Sequence, residues 1–155
     1  MKGYKMFKKI FVIFVLAFLV SGFFVKPAEA RAIPVRVPAD VEWVDTGIDV
    51  EADKTYTLQA KGQAITGPLD EYPDAKSGPG GQVTTCVDGA VPGGICVLAG
   101  VPFGALIGKI GGCGAFLIGD ASSFTASATG RLFLAVNDFI GTYGDNLAGL
   151  TVIFK

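Results

Sequence analysis

The sequence predicts an all-β fold, an antiparallel β-sandwich or jelly roll, on three observations. Residues 55–61, Thr-Tyr-Thr-Leu-Gln-Ala-Lys, alternate polar groups with Tyr56, Leu58 and Ala60, the period-two pattern of a strand with one buried face. From Arg31 onward, short segments with β-branched and aromatic residues recur between Gly, Asn and Asp, and no stretch carries persuasive helical periodicity. Glycine fills 22 of 155 positions, a content suited to a chain of many tight turns.

The first thirty residues follow a different logic. Lys2, Lys5, Lys8 and Lys9 precede an unbroken apolar run from Ile10 to Val20, and the chemistry changes again at Lys26-Pro27-Ala28-Glu29-Ala30. Basic, then apolar, then Ala28-x-Ala30 is the order of a secretory signal peptide, with cleavage expected after Ala30. An uncleaved anchor fits less well, because the apolar stretch from Ile10 to Val25 is shorter than the roughly 20 residues that span a bilayer. The expected organisation is therefore residues 1–30 as signal and residues 31–155 as one β-sandwich domain, secreted or periplasmic. That domain carries 8 basic and 13 acidic residues, a formal charge of −5. Lacking Lys/Arg clusters, it is a poor partner for nucleic acid and a better one for cations. No later apolar run approaches membrane-spanning length, so no membrane contact is expected once the signal is removed.

Along the domain, Val41, Trp43 and Val44 are expected to form a strand paired with residues 55–61 across an Asp-rich turn from Asp45 to Lys54. Asp45, Asp49, Glu51 and Asp53 then read as a solvated turn, and Trp43 as a core aromatic rather than a sugar platform. Further strands are expected over Gly104–Ile110, Ala115–Ile118, Ser123–Ala128, Arg131–Val136 and Leu150–Phe154. Between them lies a long loop from Thr66 to Gly94, rich in Gly and Pro. A loop of this length in a compact domain is usually functional or disordered, which makes it the place to seek a binding face, with Tyr72 suited to stacking on a sugar. Cys86, Cys96 and Cys113 make an odd count. A Cys86–Cys96 bridge would pin the loop between them; the alternative is three thiols acting as small hydrophobes. The spacing lacks CxxC and the chain has no His, which argues against zinc.

Chemistry concentrates in residues 137–146, Asn-Asp-Phe-Ile-Gly-Thr-Tyr-Gly-Asp-Asn, directly after a strongly apolar strand. Asp138, Thr142, Asp145 and Asn146 supply hard oxygen donors within nine positions, and Gly141 and Gly144 let the backbone turn tightly enough for them to converge. Such oxygens suit Ca²⁺, which takes about 6–8 of them, although the spacing is not that of an EF-hand. The same composition also describes an ordinary turn-rich hairpin, since Asn, Asp and Gly are the standard turn formers.

The pattern Asn137-Asp138-x-x-Gly141-Thr142-Tyr143-Gly144-x-Asn146 resembles the calcium-binding loop of the PA-I type galactophilic lectins, small bacterial proteins that bind galactosides through calcium. Phe103-Gly104-Ala105-Leu106 through Lys109-Ile110-Gly111 resembles a core strand of that family, and Gly67-Pro68 its first loop. The resemblance spans about Val41 to Phe154 and implies a galactose-binding-domain-like sandwich and a homo-oligomer. It also implies Asp138, Asp145 and Asn146 as side-chain ligands of calcium, Thr142 and Thr66 as main-chain ligands, and two vicinal sugar hydroxyls completing the shell. Asp138, Phe139, Thr142 and Asp145 are the implied carbohydrate contacts. Asp145 stands where the family has Asn, keeping an oxygen ligand and adding a negative charge. The family's His and Gln sugar contacts meet only Gly89-Ala90-Val91-Pro92-Gly93-Gly94 here, so altered specificity is expected.

Three function classes follow from this reading. The first is a calcium-dependent carbohydrate-binding protein, for a galactoside or related glycan. The second is a calcium-stabilised structural or adhesive envelope protein that binds no sugar. The third is a glycosidase using Asp138 and Asp145 as paired carboxylates, and it is the least expected. Both carboxylates belong to the metal-loop pattern, no His is available as a base, and neither a nucleophile elbow nor a phosphate loop is present.

Overall fold

The computed structural model describes residues 32–155, so the expected signal peptide at 1–30 lies outside the described residues. Those residues form nine strands and no α-helix: β1 (Ile33–Pro38), β2 (Val44–Val50), β3 (Thr55–Ile65), β4 (Lys76–Ser77), β5 (Leu106–Ile110), β6 (Phe116–Leu117), β7 (Ser123–Thr125), β8 (Gly130–Val136) and β9 (Leu147–Phe154). One sheet runs β1-β9-β3-β4, with β7 also paired to β3, and the other runs β2-β8-β5-β6. Every pairing between these strands is antiparallel. The all-β sandwich read from the sequence is the fold observed. No helix among the described residues is long and apolar enough to cross a membrane.

Alternation decides what each strand buries. In β8, Leu132, Leu134 and Val136 point inward and are fully buried, and in β9 the same is true of Leu150 and Val152. They meet Val35, Val37, Val50, Leu58, Leu106 and Ile110 in one apolar core between the sheets. Burying each such side chain is worth about 1.5–3 kcal/mol, which is what holds two thin sheets face to face. β1 carries Pro34 and Pro38, which a central strand would not tolerate. It is an edge strand, bonded to β9 alone within its sheet.

Two sequence expectations are corrected. Residues 41–44 do not pair with 55–61: the strand is Val44–Val50, it pairs with β8, and it belongs to the sheet opposite β3. The Asp-rich segment is therefore mostly strand, with a turn confined to residues 51–54. Its outward carboxylates are held by Arg131, whose Nε lies 2.7 Å from Asp49 Oδ1 and whose Nη1 lies 3.1 Å from Asp45 Oδ1. Trp43 is half-buried rather than part of the core, with Lys109 Nζ 4.2 Å from its ring centroid in a cation–π contact.

The long connection between β3 and β5 is longer than the sequence suggests, reaching from Thr66 to Ala105. Apart from β4, it is stitched by isolated bridges, Thr85 to Pro102 and Cys96 to Phe139. A disulfide joins Cys86 to Cys96, while Cys113 is a free, exposed thiol in the turn after β5.

Candidate functional site

At the end of β8 the chain leaves the sheet through Asn137 and Asp138, and it re-enters at β9 just after Asn146. Asn137 is fully buried, and its side chain is spent on structure. Its Nδ2 donates to the carbonyls of Leu98, Val101 and Pro102 at 3.1–3.2 Å, and its Oδ1 accepts from Leu98 N–H at 3.0 Å. One amide thereby fixes the bend of the long connection over the end of the sandwich. Tyr143 opens a 3₁₀ turn, Tyr143–Asp145, and anchors it by donating from Oη to Val136 O at 3.0 Å. Burial, then the charges of Asp138 and Glu42, push its phenol above its usual range, so it stays a donor.

Asn146 ties three chain segments together. Its Nδ2 donates to Asp138 Oδ2 at 2.8 Å and to Ala39 O at 3.1 Å, while its Oδ1 accepts from Gly67 N–H at 3.0 Å. Gly67 belongs to the tip of the β3–β4 hairpin, residues 66–75, closed at its base by Thr66 N–H donating to Ala75 O at 3.0 Å. Gln82 braces that base, its Nε2 donating to Thr66 Oγ1 at 2.5 Å and to Ala75 O at 3.0 Å. The hairpin tip and the β8–β9 loop, 79 residues apart at the Gly67–Asn146 bond, are thus locked against each other.

Between them opens a cavity of about 460 Å³, whose walls include Thr66, Gly67, Tyr72, Gln82, Val91, Asp138, Phe139, Thr142 and Asp145. The sequence-derived residues Asp138, Phe139, Thr142, Asp145 and Thr66 all line this one hollow. Asn146 stands behind it as a buried brace, at 2% exposure. The Phe139 ring stands edge-on to Phe103 with centroids 5.1 Å apart, and its backbone is bridged to the disulfide loop at Cys96. The sequence offered the Thr66–Gly94 loop as a binding face and set Val91 among the residues standing where the sugar contacts were expected, but singled out neither Gln82 nor Val91 as a site residue. Neither sits in a motif, and only the folding of the long connection brings them to the β8–β9 loop.

Electrostatically the hollow is one-sided. Asp138 is 6% exposed, and burial, the largest effect, raises its carboxyl above the ordinary carboxylate range; the neighbouring charge of Asp145 adds to this. Hydrogen bonds from Asn146 and from Phe139 N–H, the latter at 2.7 Å to Oδ1, offset part of the rise. Among the described residues the salt bridges are those of Arg131, so neither Asp138 nor Asp145 has a cationic partner. Also among them, no three or more His, Cys, Asp or Glu side chains gather to form a metal cluster. A cation here would rest on two carboxylates supplemented by hydroxyl and carbonyl oxygens, a donor set of the hard, all-oxygen kind that Ca²⁺ accepts.

The raised carboxyl has a signed consequence for the metal-free protein. A folded-state value above the unfolded one means that the native state holds its proton longer. Stability should therefore fall as pH rises past the ordinary Asp value and level off above the raised one. Thermal melts in chelator from pH 3 to 8 should show wild type losing stability relative to Asp138→Ala across that window. Parallel curves would contradict the burial effect.

No family model and no curated protein matches the chain. Among solved structures, the chain is similar in fold to one described as "EclA N-terminal domain; PllA-like lectin". The TM-score is 0.59 at 22% identity, over 78% of this chain and 92% of that one. The chain therefore has the fold of a lectin domain. That neighbour is described as a lectin rather than an enzyme.

Proposed function

We propose that this domain is a calcium-dependent carbohydrate-binding protein for a galactoside or related glycan, exported through a secretory signal at residues 1–30. The observation that carries it is a nearly buried carboxylate, Asp138, left without a counter-charge and sharing a hollow with Asp145. Burying an unpaired charge costs several kcal/mol, so such an arrangement favours a positively charged occupant. Asn146 holds one Asp138 oxygen in place and fixes the hairpin tip at Gly67, so Thr66, Asp138, Thr142 and Asp145 meet the cavity from preset positions. Calcium, when bound, supplies coordination positions for sugar hydroxyls. Around it, Asp138 and Asp145 can accept hydrogen bonds from those same hydroxyls, and the Thr142 hydroxyl, which donates to Phe139 O at 3.0 Å, can accept one as well. The lectin fold of the solved neighbour supports carbohydrate as the ligand class. The Cys86–Cys96 disulfide suits the oxidising surroundings that export would provide.

The test is a glycan array run with the domain in calcium and again in chelator. Calcium-dependent spots that vanish in chelator are the expected result. If calcium raised the melting temperature but no glycan were captured, the carbohydrate reading would fall and a calcium-stabilised structural protein would take its place.

A further inference from the structure

The carbohydrate reading leaves one wall of the cavity without a task. Tyr72, on the β3–β4 hairpin tip, is 51% exposed and presents its ring on a fixed backbone. The backbone is fixed on both sides: Tyr72 N–H donates to Pro68 O at 2.8 Å, Glu71 N–H to the same carbonyl at 3.1 Å, and Ala75 N–H to Tyr72 O at 3.0 Å. Gly67 marks where the ring lies. A Cβ on Gly67 would meet Tyr72 Cδ2 at 3.5 Å and Asp145 Oδ2 at 4.0 Å, so ring and carboxylate flank the same glycine. Because Gly67 is bonded to Asn146, and Asn146 to Asp138, the aromatic edge of the cavity is held in register with its acidic floor.

Building on the carbohydrate reading, we propose that Tyr72 is the specificity-determining platform of this site, stacking its ring on the C–H face of a sugar whose hydroxyls are held at Asp138 and Asp145. A hexose is amphipathic: its hydroxyls radiate near the ring plane, while one or both faces present a patch of C–H groups. A ligand held by hydroxyls at the acidic floor offers such a face to the nearest wall. Tyr72 is the aromatic ring that the hairpin contributes to the lining, to which Val91 and Phe139 also belong. The stack selects among epimers, because turning one hydroxyl from equatorial to axial clears one face of the ring and crowds the other. It also gives the site a discriminator where residues 89–94 offer only small and apolar side chains.

The experiment compares wild type, Tyr72→Phe and Tyr72→Ala on immobilised methyl galactoside, mannoside, fucoside and glucoside in calcium, with calcium affinity measured separately by titration calorimetry. Tyr72→Ala should lose about tenfold in affinity for the preferred glycoside, the scale of an aromatic contact plus the area it covers, while calcium affinity stays at the wild-type value. Tyr72→Phe keeps the ring and should stay within about twofold, which separates stacking from a hydroxyl contact. Wild-type sugar affinity in Tyr72→Ala would overturn the platform and leave the carbohydrate reading intact. So would a parallel loss of calcium and sugar binding in both variants, since that marks a structural role. Capture of none of the four glycosides by wild type would overturn the platform together with the reading beneath it.

Discussion

Asp138→Ala is expected to abolish calcium-dependent glycan capture, lowering affinity by about 30-fold or more, because a buried charged contact removed from one side costs about 2–5 kcal/mol. The same change should erase stabilisation by calcium. At a calcium concentration a hundred times its dissociation constant, that stabilisation is about 2.7 kcal/mol, which corresponds to roughly 10 °C in a domain of this size. Differential scanning calorimetry in calcium and in chelator reads both quantities on one sample. The variant should melt cooperatively in chelator, since the core between the sheets lies on other residues, and calcium should not move its transition. A wild-type calcium shift in Asp138→Ala would remove the β8–β9 loop from consideration as a cation site.

Gly149→Ala should produce the largest loss of stability of any single methyl addition in β9. Gly149 has φ +148°, where side chains are strained, and a Cβ there would lie 2.4 Å from Val37 O and 2.8 Å from Pro38 Cα. Relief requires β1 and β9 to move apart where Pro38 pairs with Gly149. Overpacking and backbone strain together are worth about 3 kcal/mol, or roughly 10 °C. Gly144→Ala is the matched control, since a Cβ at Gly144 meets nothing within 4 Å. Chemical denaturation of the two variants checks the contrast, and equal stabilities would show that β1 adapts at little cost. Because Gly149 lies three residues after Asn146, Gly149→Ala should also loosen the Asn146 bond to Ala39 O.

How much of this was legible beforehand depends on how locally each feature is encoded. The centre of β3 stood out because polar and apolar residues alternate along it, and β5 and β8 because short runs with β-branched and aromatic residues lie between turn formers. β1 was hidden by Pro34 and Pro38, which read as breakers until the strand is placed at a sheet edge. β2 was hidden by Asp45 and Asp49, which resemble turn formers. On the strand both face solvent, paired with an arginine from β8 that is 82 positions from Asp49. The pairing of residues 41–44 with 55–61 failed for a related reason: neighbours in sequence went to opposite sheets, and no local pattern records that crossing. In the candidate site, the β8–β9 loop was readable as a concentration of oxygen donors around two glycines. The loop carrying Gln82 and Val91 was readable as a binding face and residues 89–94 as standing at the expected sugar contacts, but the Gln82 brace was not, because it arises only when Asn137 bends the long connection across the end of the sandwich. Tyr72 was visible as an aromatic in a loop, but its place beside Gly67 and Asp145 at the cavity edge is a three-dimensional fact.

The topology of the first sheet has a bearing on how the molecule is made. β9 comes last of the nine strands in chain order, yet it lies between β1 and β3, and β1 has no other strand partner in that sheet. While the chain is being synthesised, β1 must wait for residues 147–154 to emerge before it can dock, and until then the apolar stripes of β1 and β3 remain uncovered. Such non-local pairing folds slowly, and only once β9 has been made. If the chain is exported as proposed above, that delay helps it pass unfolded through a translocation channel, since its architecture keeps it from closing early.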